Sequence, residues 1–184
     1  MDIRPEIQIQ SMIKSMVEVV LPAIDPEHKL AQEQARLLIG TLQLVAKRLP
    51  VAYRYDCDEL RRYVDFARDL ARRAGTAVDA STRAELDGLV ARGVAVLEAA
   101  LIEPTDIEAA AFALRAATSQ IVDEVCKLGS PQKKEAVREL VLAASKVEVQ
   151  REQALVIDMG FEMDPSKRPP PIEAQLPPLQ VRDR

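Results

Sequence analysis

Aliphatic residues recur every three or four positions along most of this chain, and the runs are separated by proline, glycine and helix-capping residues. That period places the apolar side chains on one face of an α-helix, and such a face is stable only when buried against another. Ile9, Met12, Ile13, Met16, Val17, Val20 and Leu21 form the first stripe, opened by Pro5 and ended or bent by Pro22. Leu30, Ala31, Ala35, Leu38, Leu42, Val45, Ala46 and Leu49 form the second; Asp25-Pro26-Glu27 reads as its cap and first turn, and Pro50 as its end.

A connection over 51–55 precedes a third helix, for which Asp56 and Glu59 stand at capping-box spacing. Leu60, Tyr63, Val64, Ala67, Leu70 and Ala71 are its inward residues, and Gly75 stops it. Thr82 with Glu85 opens a fourth helix, carrying Leu86, Leu89, Val90, Val94, Leu97 and Leu101. Gly88 and Gly93 weaken that helix unless a neighbour comes close. Pro104 breaks the chain, and Thr105 with Glu108 caps a fifth helix, so Thr105→Ala is expected to cost about 1 kcal/mol. Its inward residues are Ile107, Ala111, Leu114, Thr118, Ile121, Val122 and Val125. Ser130-Pro131 starts the sixth and longest helix, which reaches toward Met159 on Ala136, Val137, Leu140, Val141, Ala144 and Val147. Glu148 and Arg151 interrupt its stripe, which suggests last turns standing clear of the core.

The expected fold is therefore all-α, a bundle of about six antiparallel helices over residues 1–160, followed by an extended proline-rich tail over 161–184. Aromatic residues make up only 3% of the chain, so Leu, Val, Ile and Ala must fill the core. Six of the twelve prolines lie between Pro165 and Pro178, which favours polyproline II geometry over helix or strand. Ile172, Leu176, Leu179 and Val181 punctuate that segment. Two states suit it: disorder, or docking along an apolar groove of its own body or of a partner subunit. Its prolines nowhere have PxxP spacing.

The chemistry expected from the residues is sparse. A single histidine, His28, removes the common zinc, di-iron and catalytic-triad patterns, and its place beside a helix start suits an exposed or locally bonded ring. The glycines are isolated and build no phosphate loop. Cys57 and Cys126 belong to no ligand cluster and read as free, buried thiols of a reducing compartment. Arg61, Arg62, Arg68, Arg72 and Arg73 on the third helix could hold an anion, but Asp65 and Asp69 interleave them, and a face of ion pairs is the simpler reading. No catalytic, cofactor-binding or metal-ligating residue is assigned.

A net charge of −4 gives no basic surface for nucleic acid, and no apolar run is long enough for membrane insertion. The start of the chain lacks the layout of a signal peptide, so a cytoplasmic location is expected.

Leu21-Pro22-Ala23-Ile24-Asp25, Ala35-Arg36, Leu42 and Leu44-Val45-Ala46-Lys47-Arg48-Leu49 carry a resemblance to a family of small uncharacterised all-helical bacterial proteins. Members are encoded near aminoglycoside-phosphotransferase-like proteins and acyl-CoA dehydrogenases. The resemblance covers about the first two helices and brings no site residues; it implies a bacterial origin and an accessory role near acyl-CoA metabolism. The expectation is a non-enzymatic helical interaction or accessory protein that self-associates as a homodimer, with a further protein contact available through the C-terminal tail. The alternative is a carrier or sensor of a small hydrophobic ligand, an acyl chain or acyl-CoA. An enzyme would have to rely on carboxylates, tyrosines or a borrowed cofactor.

Overall fold

The computed structural model describes residues 4–99, 103–159 and 164–178, and every regular element among them is helical. We label the helices α1 (Pro5–Ser15), α2 (Lys29–Arg48), α3 (Ala52–Ala74), α4 (Ala80–Glu98), α5 (Pro104–Leu128), α6 (Pro131–Val156) and the single turn α7 (Ile172–Gln175). Contacts divide the chain into two compact units, Met1–Ala52 with Glu152–Glu173, and Tyr53–Arg151 with Ala174–Arg184. Leu101, Leu179 and Val181, placed on stripes or in the tail by their sequence, lie outside the described residues.

In the first unit Pro5 is the first residue of α1, as its fixed φ favours. The helix does not stop at Pro22. It widens into a π-helical turn over Met16–Val20 and closes with Leu21–Ala23. Pro22 has no N–H for the carbonyl four residues earlier, and its ring crowds that oxygen, so the ladder opens just upstream. Gln32 of α2 donates from Nε2 to the free carbonyl of Ile24 at 2.8 Å and tethers this end.

The start of α2 falls three residues later than Asp25-Pro26-Glu27 suggested. Asp25 spends its carboxylate on the Glu27 amide at 2.9 Å, and His28 becomes the cap, its Nδ1 accepting from the Ala31 amide at 3.3 Å. Ala35 and Ile39 are the buried residues of α2, while α1 buries none. Lys47 pairs with Asp158, and Arg48 Nε donates to the Leu155 carbonyl at 3.3 Å.

The second unit holds the larger core. Leu60, Val64, Ala67 and Leu70 of α3, Leu86 and Val90 of α4, and Ile107, Leu114, Ile121 and Val125 of α5 are buried together, with Val137 of α6 and Val78. Small residues set the spacing. A Cβ on Gly93 would stand 2.8 Å from Val64 Cγ2, so α4 comes closest to α3 where it has no side chain; Gly88 faces open space. Gly75 ends α3 at φ +55, a left-handed conformation that suits glycine.

Several expected boundaries shift because neighbouring groups cap better. Pro50 sits in a 3-10 turn, Leu49–Val51, and α3 begins at Ala52, so Asp56 and Glu59 lie inside the helix rather than capping it. Asp79 caps α4 in place of Thr82, accepting from the Ser81 and Thr82 amides, both at 2.9 Å. Pro104 starts α5 instead of breaking it, and no cap hydrogen bond from a side chain is made there. Ser130-Pro131 opens α6 as expected. In the C-terminal segment Ile172–Gln175 does form a turn of helix, against the expectation from its prolines, and Ile172 and Leu176 are buried.

Candidate functional site: a buried arginine cluster

Arg151 is the largest fully buried side chain among the described residues of this protein, 1% exposed, although its sequence position suggested a helix end standing in solvent. It lies on α6 within the second unit, and α3 supplies what holds it. Nη1 donates to Asp58 Oδ2 at 2.5 Å, and Asp58 is itself buried. The guanidinium carbon stands 4.6 Å from the centroid of the Tyr55 ring, a cation–π contact that a planar guanidinium makes well. Glu148, one turn before Arg151, leaves Oε2 at 4.0 Å from Arg151 Nε and accepts from Arg62 at 2.5 and 3.0 Å through Oε1.

A second set continues along α3. Arg115 of α5 donates from Nε to the Tyr63 hydroxyl at 2.6 Å and from Nη2 to Glu59 Oε1 at 3.1 Å. Its guanidinium also lies over the Tyr63 ring, 5.0 Å from the centroid. Tyr55, Asp58, Glu59, Arg62 and Tyr63 follow at helical spacing, so one face of α3 carries the anions and rings that meet arginines from two other helices. Arg151 Nε and Nη2 have no hydrogen-bond partner among the described residues.

Electrostatics decide what this cluster can do. Burial pushes the Glu59 carboxyl above its ordinary range, with Arg115 opposing the shift. Burial raises the Tyr55 phenol further from neutrality, again opposed by an arginine, Arg151. Asp56 is raised by burial and by nearby Glu108. The cations are all arginines, which do not release protons at accessible pH, and Arg115 is raised further by its bond to Tyr63. Asp58, Glu59 and Glu148 each lie beside at least one arginine, and together they form a largely neutral, fixed network. It suits holding helices in register far better than shuttling protons.

The sequence-derived candidates fall elsewhere. Two arginines of α3 pair as their spacing suggested, Arg68 with Asp65 at 3.5 Å and Arg72 with Asp69, while Arg73 Nη1 donates to the Ala136 carbonyl at 2.9 Å. Asp65, Arg68, Asp69 and Arg72 line a surface hollow of about 630 Å³ with Arg83 and Asp87, where the charges cancel. His28 is exposed and spends its ring on a cap. Cys57 and Cys126 are free, but only Cys57 is partly buried; Cys126 is exposed, because its neighbour Val125 takes the inward position. Burial raises the Cys57 thiol, which disfavours a reactive thiolate. No group of metal-binding side chains occurs among the described residues.

In the first unit a hollow of about 750 Å³ is lined by Leu21, Pro22, Ile24 and Pro26 together with Lys29, Gln32, Glu33 and Arg36. Sequence reasoning passed over Asp58 and Arg151, which stand 93 positions apart. The one signal was the break in the apolar stripe of α6, which was compatible with exposure as well as with a buried pair. Comparison with known proteins finds no matching family model, no matching curated protein and no matching solved structure.

Proposed function

We propose that this chain is a non-enzymatic helical interaction or accessory protein that works as a homodimer in the bacterial cytoplasm. One observation carries the reading: the helices of the first unit leave much of their aliphatic surface in solvent. Met12, Val19, Leu30, Leu37, Leu38 and Val45 are 43–65% exposed, with Val19 at 64% and Leu30 at 65%. Exposed aliphatic area concentrated on two helices is what a protein contact uses. The arginine cluster of the second unit supports a scaffold rather than a catalyst, since Asp58, Glu59 and Glu148 are each paired with a cation that does not titrate.

Free thiols agree with a reducing compartment, and no described helix is long and apolar enough to cross a membrane. The short links from Ala74 to Ala80 and from Leu128 to Pro131 support an antiparallel order of successive helices. The resemblance of the first two helices to bacterial proteins encoded near acyl-CoA dehydrogenases supports an accessory role beside such enzymes, with the C-terminal segment as a second contact. Sedimentation of the full chain from about 1 to 100 μM tests the reading, a range in which stable interfaces of ordinary size are occupied. A dimer is expected, and a monomer throughout overturns it.

The hollow beside Leu21 and Ile24 favours a second reading, capture of an acyl chain by apolar walls with its anionic head near Lys29 and Arg36. Native mass spectrometry of the purified chain should then show an added acyl mass that Arg36→Glu removes. A bare chain that also ignores added acyl-CoA rejects it.

A further inference from the structure

Helix α2 is apolar on two sides. Ala35 and Ile39 are buried, and Leu37 stands two residues from each, about 160–200° around the helix. On that outer side Leu30 is 65% and Leu37 55% exposed, and Leu38, 47%, and Val45, 43%, continue it toward the flank of Ala35. Gln34 and Thr41 lie between them, and the six residues span about 100° at 100° per residue. A helix apolar on both sides belongs inside an assembly.

The order of residues on this face is self-complementary. Turned about a two-fold axis midway between Leu37 and Leu38, an antiparallel copy sets Leu30 against Val45 and Leu37 against Leu38. The same register sets Gln34 against Thr41, and Glu27, just before the helix, against Arg48 at its end. In this register apolar meets apolar, amide meets hydroxyl, and acid meets base. A two-fold contact demands this pairing, because each residue of the patch must suit the residue that its own symmetry mate presents.

The four exposed residues of α2 form the middle of such a contact: a large aliphatic side chain carries about 90 Å² of apolar surface, so together they offer about 190 Å². That is a little under half of the apolar area that a standard interface of about 800 Å² per partner asks for. We propose that α2 is the dimer seam, pairing antiparallel with α2 of a second copy about an axis between Leu37 and Leu38. This rests on the reading of the protein as a homodimer and names the surface that makes it.

The test uses the full chain with both native cysteines changed to serine, checked for helicity by circular dichroism. Gln34→Cys with Thr41→Cys places one thiol opposite the other across the axis. Either substitution alone leaves like thiols about 10 Å apart along the helices, too far for a disulfide. The double variant is expected to run as a covalent dimer on a non-reducing gel, and each single variant as a monomer. Leu37→Glu with Leu38→Glu, both exposed and so harmless to the fold of one chain, is expected to raise the dimer dissociation constant about 100-fold or more by sedimentation. A wild-type chain that is monomeric overturns both the homodimer reading and this seam. A wild-type dimer that survives the glutamates, or fails to cross-link, overturns the seam alone.

Discussion

Removing Arg151 should destabilise the protein more than any exposed substitution, and removing its partner with it should restore most of the loss. Arg151 is 1% exposed and Asp58 7% exposed, with a 2.5 Å bond between them, so removing either leaves the other buried with only a more distant counter-charge, Arg61 Nη1 at 3.9 Å from Asp58 or Glu148 Oε2 at 4.0 Å from Arg151. Breaking such a pair costs about 3–5 kcal/mol, whereas replacing both members by apolar residues of similar volume is often neutral or stabilising. Arg151→Met keeps most of the stem volume but leaves the Asp58 carboxylate with only Arg61, at 3.9 Å, and uncovers the Tyr55 ring; about 3 kcal/mol of lost stability is expected. Asp58→Leu should cost a similar amount. The double variant should lie within about 1 kcal/mol of the parent, which gives a coupling energy of several kcal/mol for a directly bonded buried pair. Glu148 retains Arg62 throughout, so it is not stranded in any variant. Arg151→Lys keeps the charge but loses the planar contact with Tyr55, and should fall between the parent and Arg151→Met. Urea unfolding followed by far-UV circular dichroism and by tyrosine fluorescence reads all four, the two probes checking that one transition is being measured. If Arg151→Met alone costs under about 1 kcal/mol, or if the losses simply add, the reasoning from burial is wrong.

The two glycines of α4 should respond with opposite signs. Gly88→Ala, in open space, is expected to stabilise by about 0.5–1 kcal/mol, whereas Gly93→Ala must push Val64 aside and should destabilise by about 1 kcal/mol net, both by thermal or urea melts. Thr105→Ala should change stability by less than about 0.5 kcal/mol, because α5 starts at Pro104 and no side chain caps it; a loss of 1 kcal/mol would restore the capping box read from the sequence. Hydrogen bonds from the Ser81 hydroxyl first, then from Thr82, hold the Asp79 carboxyl well below the usual carboxylate range. Its contribution is therefore present at neutral pH and disappears as pH falls through that depressed folded-state value. Asp79→Ala should lower the melting temperature at pH 7 and narrow the gap from the parent in strong acid; an equal gap at both pH values would remove the cap.

Much of the helical order was legible in the residues alone. Leu60, Val64, Ala67, Leu70, Ile107, Leu114, Ile121 and Val125 are both the periodic residues and the buried ones, because a stripe of period 3.6 can be removed from water only as one face. Pro5 and Ser130-Pro131 start helices as expected, since their effect is local and no distant contact is needed to realise it. The capping boxes at Asp56, Thr82 and Thr105 misled for a related reason. Several polar residues near a helix start can compete for the same free amides, and the winner depends on where the chain enters.

Tertiary structure alone decided which breaks in a stripe are exposed and which are buried. Glu148 and Arg151 look in one dimension like the end of an apolar face; only the meeting of α6 with α3 supplies Asp58, Tyr55 and Arg62, and with them the compensation that lets a guanidinium leave water. The same holds for the surface of α2. Its stripe was readable, but Leu30, Leu38 and Val45 of that stripe stay in solvent; which members are covered follows from which helices pack beside it, and a one-dimensional pattern does not contain that information. Periodicity is a property of neighbours along the chain, whereas burial of charge and exposure of leucine are properties of neighbours in space.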